Sequence, residues 1–578
     1  MSASSSDSTW RSQIMSTNAS PRQSTFNEPV GSGSLMSADV IRTRVDAPWR
    51  AWRRALPTAL ATVLAGAYLV FQPSGADLPA QLLRTKLFGV EGYGIWNNWW
   101  YAGHYLPGYS VLFPALAWMT TPQLPAAIAS VGTAAAFEAL AYRAYGTDGW
   151  LGATWLGAAT VTELLSGRLT FALGLCGVAL TALALQRQRG WLAVLAAFLT
   201  AMASPVAALF AAMAGATVLI TGPNRRAGAG AIAAALGPVV VLSVAFPQGG
   251  AQPFAFSTLW PLIVLTSIAM VALPRGSATL RTATALYGFG CLAAYAIGTP
   301  VGANAARLGE LVAGPLLALV LWQSRGAGNL HRRRLRPQVI VLAAAVIPLS
   351  YLQVHDAVSD LRHGSQAPSD SAAYYRPLVR FLDRQPGARQ HSWRVEVPFT
   401  QGHWEADRLA PIFPLARGWD RQIDIADNHL FYGGRLTAAT YDHWLRALAV
   451  RFVAVSDAPP DYSARGELEL ISRGLPYLTL VARMAHWQVY RVSDATAIVS
   501  GAATLASLGA QSLTLTVKRA GAAYLRVRWS PYWQVSGVDA CVAPWGVFTL
   551  VRARSRGTAR LQMSFSLARI GASSERCD

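Results

Sequence analysis

The chain has 578 residues, of which 53% are hydrophobic and only 13% charged, with a mean hydropathy of +0.29. A soluble domain carries about 25% charged residues, so this composition excludes a disordered, collagen-like or disulfide-dense secreted chain and points to an integral membrane protein. The net charge of +20 comes from 49 basic residues, but only Lys86 and Lys518 are lysines, and the basic residues sit between apolar runs as membrane topology requires. Nucleic acid is therefore not expected as a partner.

Residues 1–40 are rich in Ser, Thr and Asn and read as a disordered cytoplasmic tail without a cleavable signal peptide. Arg42, Arg44, Arg50, Arg53 and Arg54 then precede the apolar run Ala55 to Phe71 and hold the N-terminus in the cytoplasm. Further apolar runs follow at 109–141, 150–166, 168–185, 191–220, 227–246, 257–273, 281–298, 308–322 and 338–354. Basic clusters at Arg187/Arg189, Arg225/Arg226, Arg275/Arg281 and 331–336 mark cytoplasmic loops. The 109–141 and 191–220 runs are each long for one helix and short for two. Splitting only the second, at Ser204-Pro205, gives about eleven spans and places everything after His355 outside.

The transmembrane region thus covers 41–354. Residues 355–497 read as an extracytoplasmic α/β domain, with helical patterns at Tyr374 to Leu382 and Tyr441 to Ala449 and a strand at Arg451 to Val455. Residues 498–578 alternate as strands do, notably Ser512 to Val517 and Ala523 to Trp529, and read as a β-sandwich-like module. Cys176 and Cys291 lie in apolar runs as small core residues. Cys541 and Cys577 are able to pair if their region is extracytoplasmic.

The most informative loop is 72–109, outside by topology. Leu78 to Phe88 forms an amphipathic pattern suited to the membrane surface. Beyond it Tyr93, Trp96, Trp99, Trp100, Tyr101 and Tyr105 crowd together, either as an interfacial aromatic belt or as faces for a sugar ring or lipid phosphate. Asp77 and Glu91 are its acidic residues. A carboxylate at the outer face can serve as general base on an acceptor hydroxyl, and His104 can orient a phosphate or shuttle a proton. In the apolar runs, Glu163 and Arg168 flank a Ser-Gly break, and Arg307 and Glu310 lie three apart, which also suits a plain ion pair. Asn304, after Pro300 and Gly302, suggests a broken helix start suited to anions. His403, Glu405 and Asp407 alternate in GHWEADR and would share one face of a strand, as metal ligands can, though a polar loop anchored by Trp404 explains them as well.

A cytoplasmic N-terminus, one span, a large outer loop opening at Asp77, many Ala/Leu-rich spans and an extracytoplasmic C-terminal domain resemble the GT-C superfamily of membrane glycosyltransferases. More narrowly, the chain resembles bacterial YfhO-like and 6-pyruvoyl-tetrahydropterin-synthase-related integral membrane proteins. The stretches that carry the resemblance are WNNWWYAGHYLPGYSVLFP, TELLSGRLTFALG, ASPVAALF, GANAARLGELVAGPL, WLRALAVRFVAV and RVRWSPYW. The resemblance implies transfer of a sugar from a polyprenyl-phosphate donor to a glycan or lipid acceptor of the cell envelope, at the outer face of the plasma membrane. It gives the catalytic role to Asp77 first and Glu91 second. Trp99, Trp100, Tyr101, His104, Arg168, Asn304 and Arg307 are the expected substrate-binding residues. No paired Asp-Glu or Asp-x-Asp signature accompanies them, so no divalent metal is assigned. The alternatives are a non-catalytic envelope scaffold of the same descent, and a transporter or flippase of a lipid-linked or small solute.

Overall fold

The computed structural model describes residues 36–326, 344–364 and 367–572. The basic cluster at 331–336, the start of the 338–354 run and Cys577 lie outside the described residues. The chain divides into two units, Met1–Ala51 and Trp52–Asp578. The helix α1, Met36–Phe71, begins in the first and ends in the second.

The larger unit is mostly helical through residue 364. After the loop helix α2 (Leu78–Glu91) come α3 (Phe113–Met119), α4 (Gln123–Tyr145), α5 (Trp150–Leu165), α6 (Leu169–Gln186), α7 (Gly190–Ala203), α8 (Pro205–Thr221) and α9 (Arg225–Ala245). They are followed by α10 (Phe256–Ala272), α11 (Ala278–Ala296), α12 (Ala306–Gly326) and α13 (Val346–Gly364). Among the described residues five helical stretches are long and apolar enough to cross a membrane: Trp52–Phe71, Gln123–Leu165, Leu169–Gln186, Arg225–Ala245 and Gly302–Leu321. Gly190–Ala203, Pro205–Thr221 and Phe256–Val271 are apolar but shorter.

The break at Ser204-Pro205 has a local cause. Pro205 has no N–H to continue α7, and the Ser204 side chain accepts a hydrogen bond from Ala207 N, capping α8. The 109–141 run is also broken, into α3 and α4. Across the bundle small residues face inward: Ala193, Ala197, Ala201, Ala208, Ala211, Ala231 and Ala235 share one core. Large apolar residues face out, with Val240, Val241 and Val244 59%, 63% and 56% exposed. In water that arrangement would leave apolar surface unsatisfied. In lipid it lets helices approach closely while the bulky side chains meet acyl tails.

Beyond α13 the chain turns to strands. β3 (Arg394–Glu396), β4 (Val450–Ser456), β6 (Trp487–Val492) and β5 (Leu478–Met484) form one sheet in that order, with β3 and β4 parallel and the other pairs antiparallel. The flanking helices include Ala372–Asp383 and Ala438–Ala447. The last region is two four-stranded sheets. One orders β12 (Ala540–Trp545), β13 (Phe548–Ala553), β10 (Gly521–Arg528) and β7 (Val499–Gly501). The other orders β11 (Trp533–Ser536), β14 (Gly557–Met563), β9 (Ser512–Val517) and β8 (Ala503–Leu508). Leu525, Val551, Leu515 and Leu561 from the two sheets share one core, so alternate residues point inward as the period of two requires. Cys541 on β12 is disulfide-bonded.

The loop 72–109 joins the helical and strand-rich parts. A two-residue pairing, β1 (Trp96–Asn97) with β2 (His104–Tyr105), folds it back on itself. Asn98 N donates to Ala510 O at 2.9 Å, Leu415 N to Trp99 O at 2.8 Å and Arg528 N to Ala102 O at 2.8 Å. On the near side the buried Arg84 of α2 pairs with the buried Asp420, and Lys86 Nζ reaches Asp407 at 2.7 Å. Gly418 leaves no room for a side chain there: a Cβ would stand 2.3 Å from Trp100 Cγ. The helix α2 is therefore not a membrane-surface helix. The C-terminal region covers it, and Leu83, Arg84 and Leu87 are all buried.

Candidate functional site

Asp77 stands immediately before α2, and its carboxylate does not cap that helix. Its Oδ2 lies 3.7 Å from Arg168 Nε and 3.7 Å from Arg307 Nη2. Arg168 precedes α6 at the break after α5, and Arg307 sits in the first turn of α12. Three residues far apart in the chain thus meet at one point.

Backbone contact brings Asp77 to Arg168. Asp77 N donates to Ser166 O at 3.1 Å. A Cβ on Gly75 would fall 2.4 Å from Gly167 N. Gly167 has φ +75°, and a Cβ there would fall 2.5 Å from Leu78 N. Only glycine fits this approach, and the left-handed turn also favours glycine. The Ser-Gly break seen in the sequence is where the turn carrying Asp77 rests on the start of α6.

At 3.7 Å the contacts are ion contacts rather than hydrogen bonds, so the guanidinia keep donors for another acceptor. Arg168 Nε is buried with no hydrogen-bond partner, while its Nη2 donates to Asp356 Oδ2 at 3.1 Å. Beside them lies a cavity of about 140 Å³ lined by Asp77, Ser166, Arg168, Asp356 and Asp360 among others. A smaller recess of about 10 Å³ shares Ser166, Arg168 and Asp356 and ends on Glu163 and Glu310. The cavity matches a phosphate or small head group in size, being below the roughly 300–1,000 Å³ of whole-ligand pockets. Among the described residues no group of three or more His, Cys, Asp and Glu side chains is arranged to hold a metal ion.

Of the residues expected from the sequence, the structure brings Asp77, Arg168 and Arg307 together and leaves the others elsewhere. Glu91 is exposed, accepting from Gln511 Nε2 at 3.3 Å. It ends the 14-residue α2, about 20 Å along the helix from Asp77 at 1.5 Å per residue. Trp99, Trp100 and Tyr101 are buried in the joint with the C-terminal region. Trp100 Nε1 donates to Ala406 O at 3.2 Å, and the Tyr101 hydroxyl donates to Gly418 O. These rings are held face and edge by protein and do not line the cavity, so they have no face to offer a sugar. His104 stacks on Trp100 at 5.6 Å. Burial, aided by the charge of Arg84, pushes its pKa down to about 3, so it is a neutral core imidazole walled off from the cavity. Asn304 sits in the 3₁₀ turn Gly302–Ala305 that opens α12, with its amide toward Pro300 O at 3.5 Å, and does not line the cavity.

The ion pairing also differs from the local expectation. Arg307 contacts Asp77 rather than Glu310, and Arg168 contacts Asp77 and Asp356 rather than Glu163. His403, Glu405 and Asp407 do not lie on a strand, because Glu405–Arg408 is a helical turn. His403 Nδ1 lies 3.8 Å from Glu405 and its Nε2 3.6 Å from Asp461, Glu405 accepts from Thr400, and Asp407 turns away to Lys86. Asp356 and Asp360 escaped the sequence reading. Their signal was the i, i+4 spacing in VHDAVSDL directly after the last apolar run, which puts both carboxylates on one helix face. Compared with known proteins, the chain matches no family model and no curated sequence, so a functional reading rests on the geometry of this cavity.

Proposed function

We propose that this chain is a membrane glycosyltransferase of GT-C type that moves a sugar from a polyprenyl phosphate to a cell-envelope acceptor at the outer face of the plasma membrane. The carrying observation is the contact of Asp77 with Arg168 and Arg307 at a head-group-sized cavity beside apolar helices. The proposed topology has about eleven spans, a cytoplasmic N-terminus and an extracytoplasmic C-terminal region. The disulfide at Cys541 supports that side for the C-terminal region.

In the proposed reaction the donor phosphate displaces Asp77 from the two guanidinia, freeing the carboxylate. The acceptor oxygen attacks the anomeric carbon from the face opposite the phosphate, and the carbon–oxygen bond to phosphate breaks with inversion. The hydroxyl proton passes to Asp77. The charge on the departing polyprenyl phosphate falls to Arg168 and Arg307, where low dielectric strengthens the interaction.

The test is transfer of radiolabelled sugar from polyprenyl phosphate in proteoliposomes. Asp77→Asn is expected to lower transfer by about 10²–10⁴-fold, the range for loss of a general base, with an unchanged elution profile. Full activity in that variant would retire the assignment. A transporter of a lipid-linked solute is the second reading, favoured by the buried, unpartnered Glu163 Oε2 at the recess floor. Accumulation of unaltered solute in sealed vesicles distinguishes it.

A further inference from the structure

The charges around the cavity do not balance. Asp77, Glu163, Glu310, Asp356 and Asp360 supply five carboxyl groups to the lining of the two hollows and Arg168 one guanidinium; Arg307, which lines neither, reaches Asp77 at 3.7 Å. Among the described residues Glu163, Glu310 and Asp360 have no basic side chain within 4.0 Å. A plain phosphate on the arginines would add negative charge to a site already in acidic excess.

The recess has a definite chemical character. Its volume of about 10 Å³ is roughly what one water-sized group needs. Glu163 is 5% exposed and its Oε2 has no hydrogen-bond partner. Two of the neighbouring donors are already used: Gln353 Nε2 donates to Leu311 O at 2.8 Å, and Thr162 Oγ1 donates to Ala159 O at 2.8 Å. Gln353 Oε1 in turn accepts from Trp155 Nε1 at 2.7 Å. Apart from Arg168, whose Nε lies 3.7 Å from Asp77, the ionisable groups lining the recess are the carboxyls of Glu163, Glu310 and Asp356. A hydroxyl offers one donor and no charge, whereas a primary ammonium is water-sized, offers three donors and carries the missing positive charge.

We propose that the cavity binds a lipid phosphate ester bearing a primary ammonium, with the phosphate on Arg168 and Arg307 and the ammonium in the Glu163–Glu310 recess. Arg168 lines both hollows, so the two ends of one small zwitterion reach their partners together. The inference rests on the reading that this cavity takes a lipid-linked phosphate, and it narrows the substrate class. Two sources carry this chemistry, an amino sugar on a polyprenyl phosphate and a phosphoethanolamine head group.

Binding to the full chain in nanodiscs separates them. The probes are dihexanoyl phosphatidylethanolamine, its N-acetyl derivative, dihexanoyl phosphatidic acid, and citronellyl phosphate esters of glucosamine and of N-acetylglucosamine. At least one amine probe is expected to bind tenfold or more tighter than its N-acetyl counterpart. Glu163→Gln and Glu310→Gln should each reduce that preference below about threefold while phosphatidic acid binds no more weakly than to the unaltered chain. Arg307→Gln should weaken every probe. Equal binding of amine and N-acetyl probes, or a preference that survives both Gln variants, overturns the proposal. A preference confined to the glycerolipid pair upholds the ammonium site while removing the sugar donor. Sugar transfer by a chain without amine preference does the reverse.

Discussion

The joint between the loop 72–109 and the C-terminal region makes its own stability testable through Arg84. Its guanidinium is buried, pairs with the buried Asp420 and lies 3.7 Å from the centre of the Tyr109 ring. Arg84→Met keeps the stem but leaves the Asp420 carboxyl 7% exposed and without its cation, the group that offsets the rise burial causes in its pKa. Breaking one side of a buried pair costs about 3–5 kcal/mol. For a region of this size each kcal/mol moves the midpoint by about 2–4 °C, so a fall of roughly 6–20 °C is expected. Arg84→Met with Asp420→Asn removes the stranded carboxyl and should recover at least half the loss. The assay is thermal unfolding in detergent followed by protease cleavage within 367–572. A single variant that melts within about 2 °C of the unaltered chain would show that water reaches Asp420 and that the joint is not sealed.

The other expectations concern the cavity and the interior of the C-terminal region. Gly167→Ala meets both a left-handed backbone and the Leu78 backbone. It should lower transfer at least tenfold and weaken phosphate binding in parallel, because the turn carrying Asp77 must move; unchanged kinetics would refute the packing argument. Burial raises the Glu405 pKa to about 7, partly offset by hydrogen bonds from Thr400. Its folded value exceeds its unfolded one, so its contribution is full below about pH 4.5 and is lost as pH rises through about 7. Burial pushes His403 the other way, to about 4, so its contribution is lost as pH falls from about 6.5 through that value. Glu405→Gln should therefore flatten the fall in melting temperature between pH 5 and 7 without changing the acid limb, as a pH series of unfolding curves would record; an unaltered slope would count against it.

Much of this architecture is legible one residue stretch at a time because the relevant signals are local. Hydropathy located the apolar helices, and Ser204-Pro205 marked the break between α7 and α8 through a missing N–H and a capping hydroxyl. Alternation over 512–517 and 523–529 located the strands found at 512–517 and 521–528. The cost of ionisable groups at membrane depth singled out Arg168 and Arg307, and Asp77 stood out as an acidic residue of the loop 72–109, before their meeting was visible. Only the tertiary structure decided what those groups touch. Arg168 reaches Asp77 because Gly75 and Gly167 let two backbones close to contact distance, and Arg307 contacts Asp77 rather than its sequence neighbour Glu310. The aromatic cluster was equally ambiguous in one dimension. Whether Trp100 meets a ligand or a core depends on Ala406 and Gly418, some 300 residues away, and burial is a property of both surfaces together.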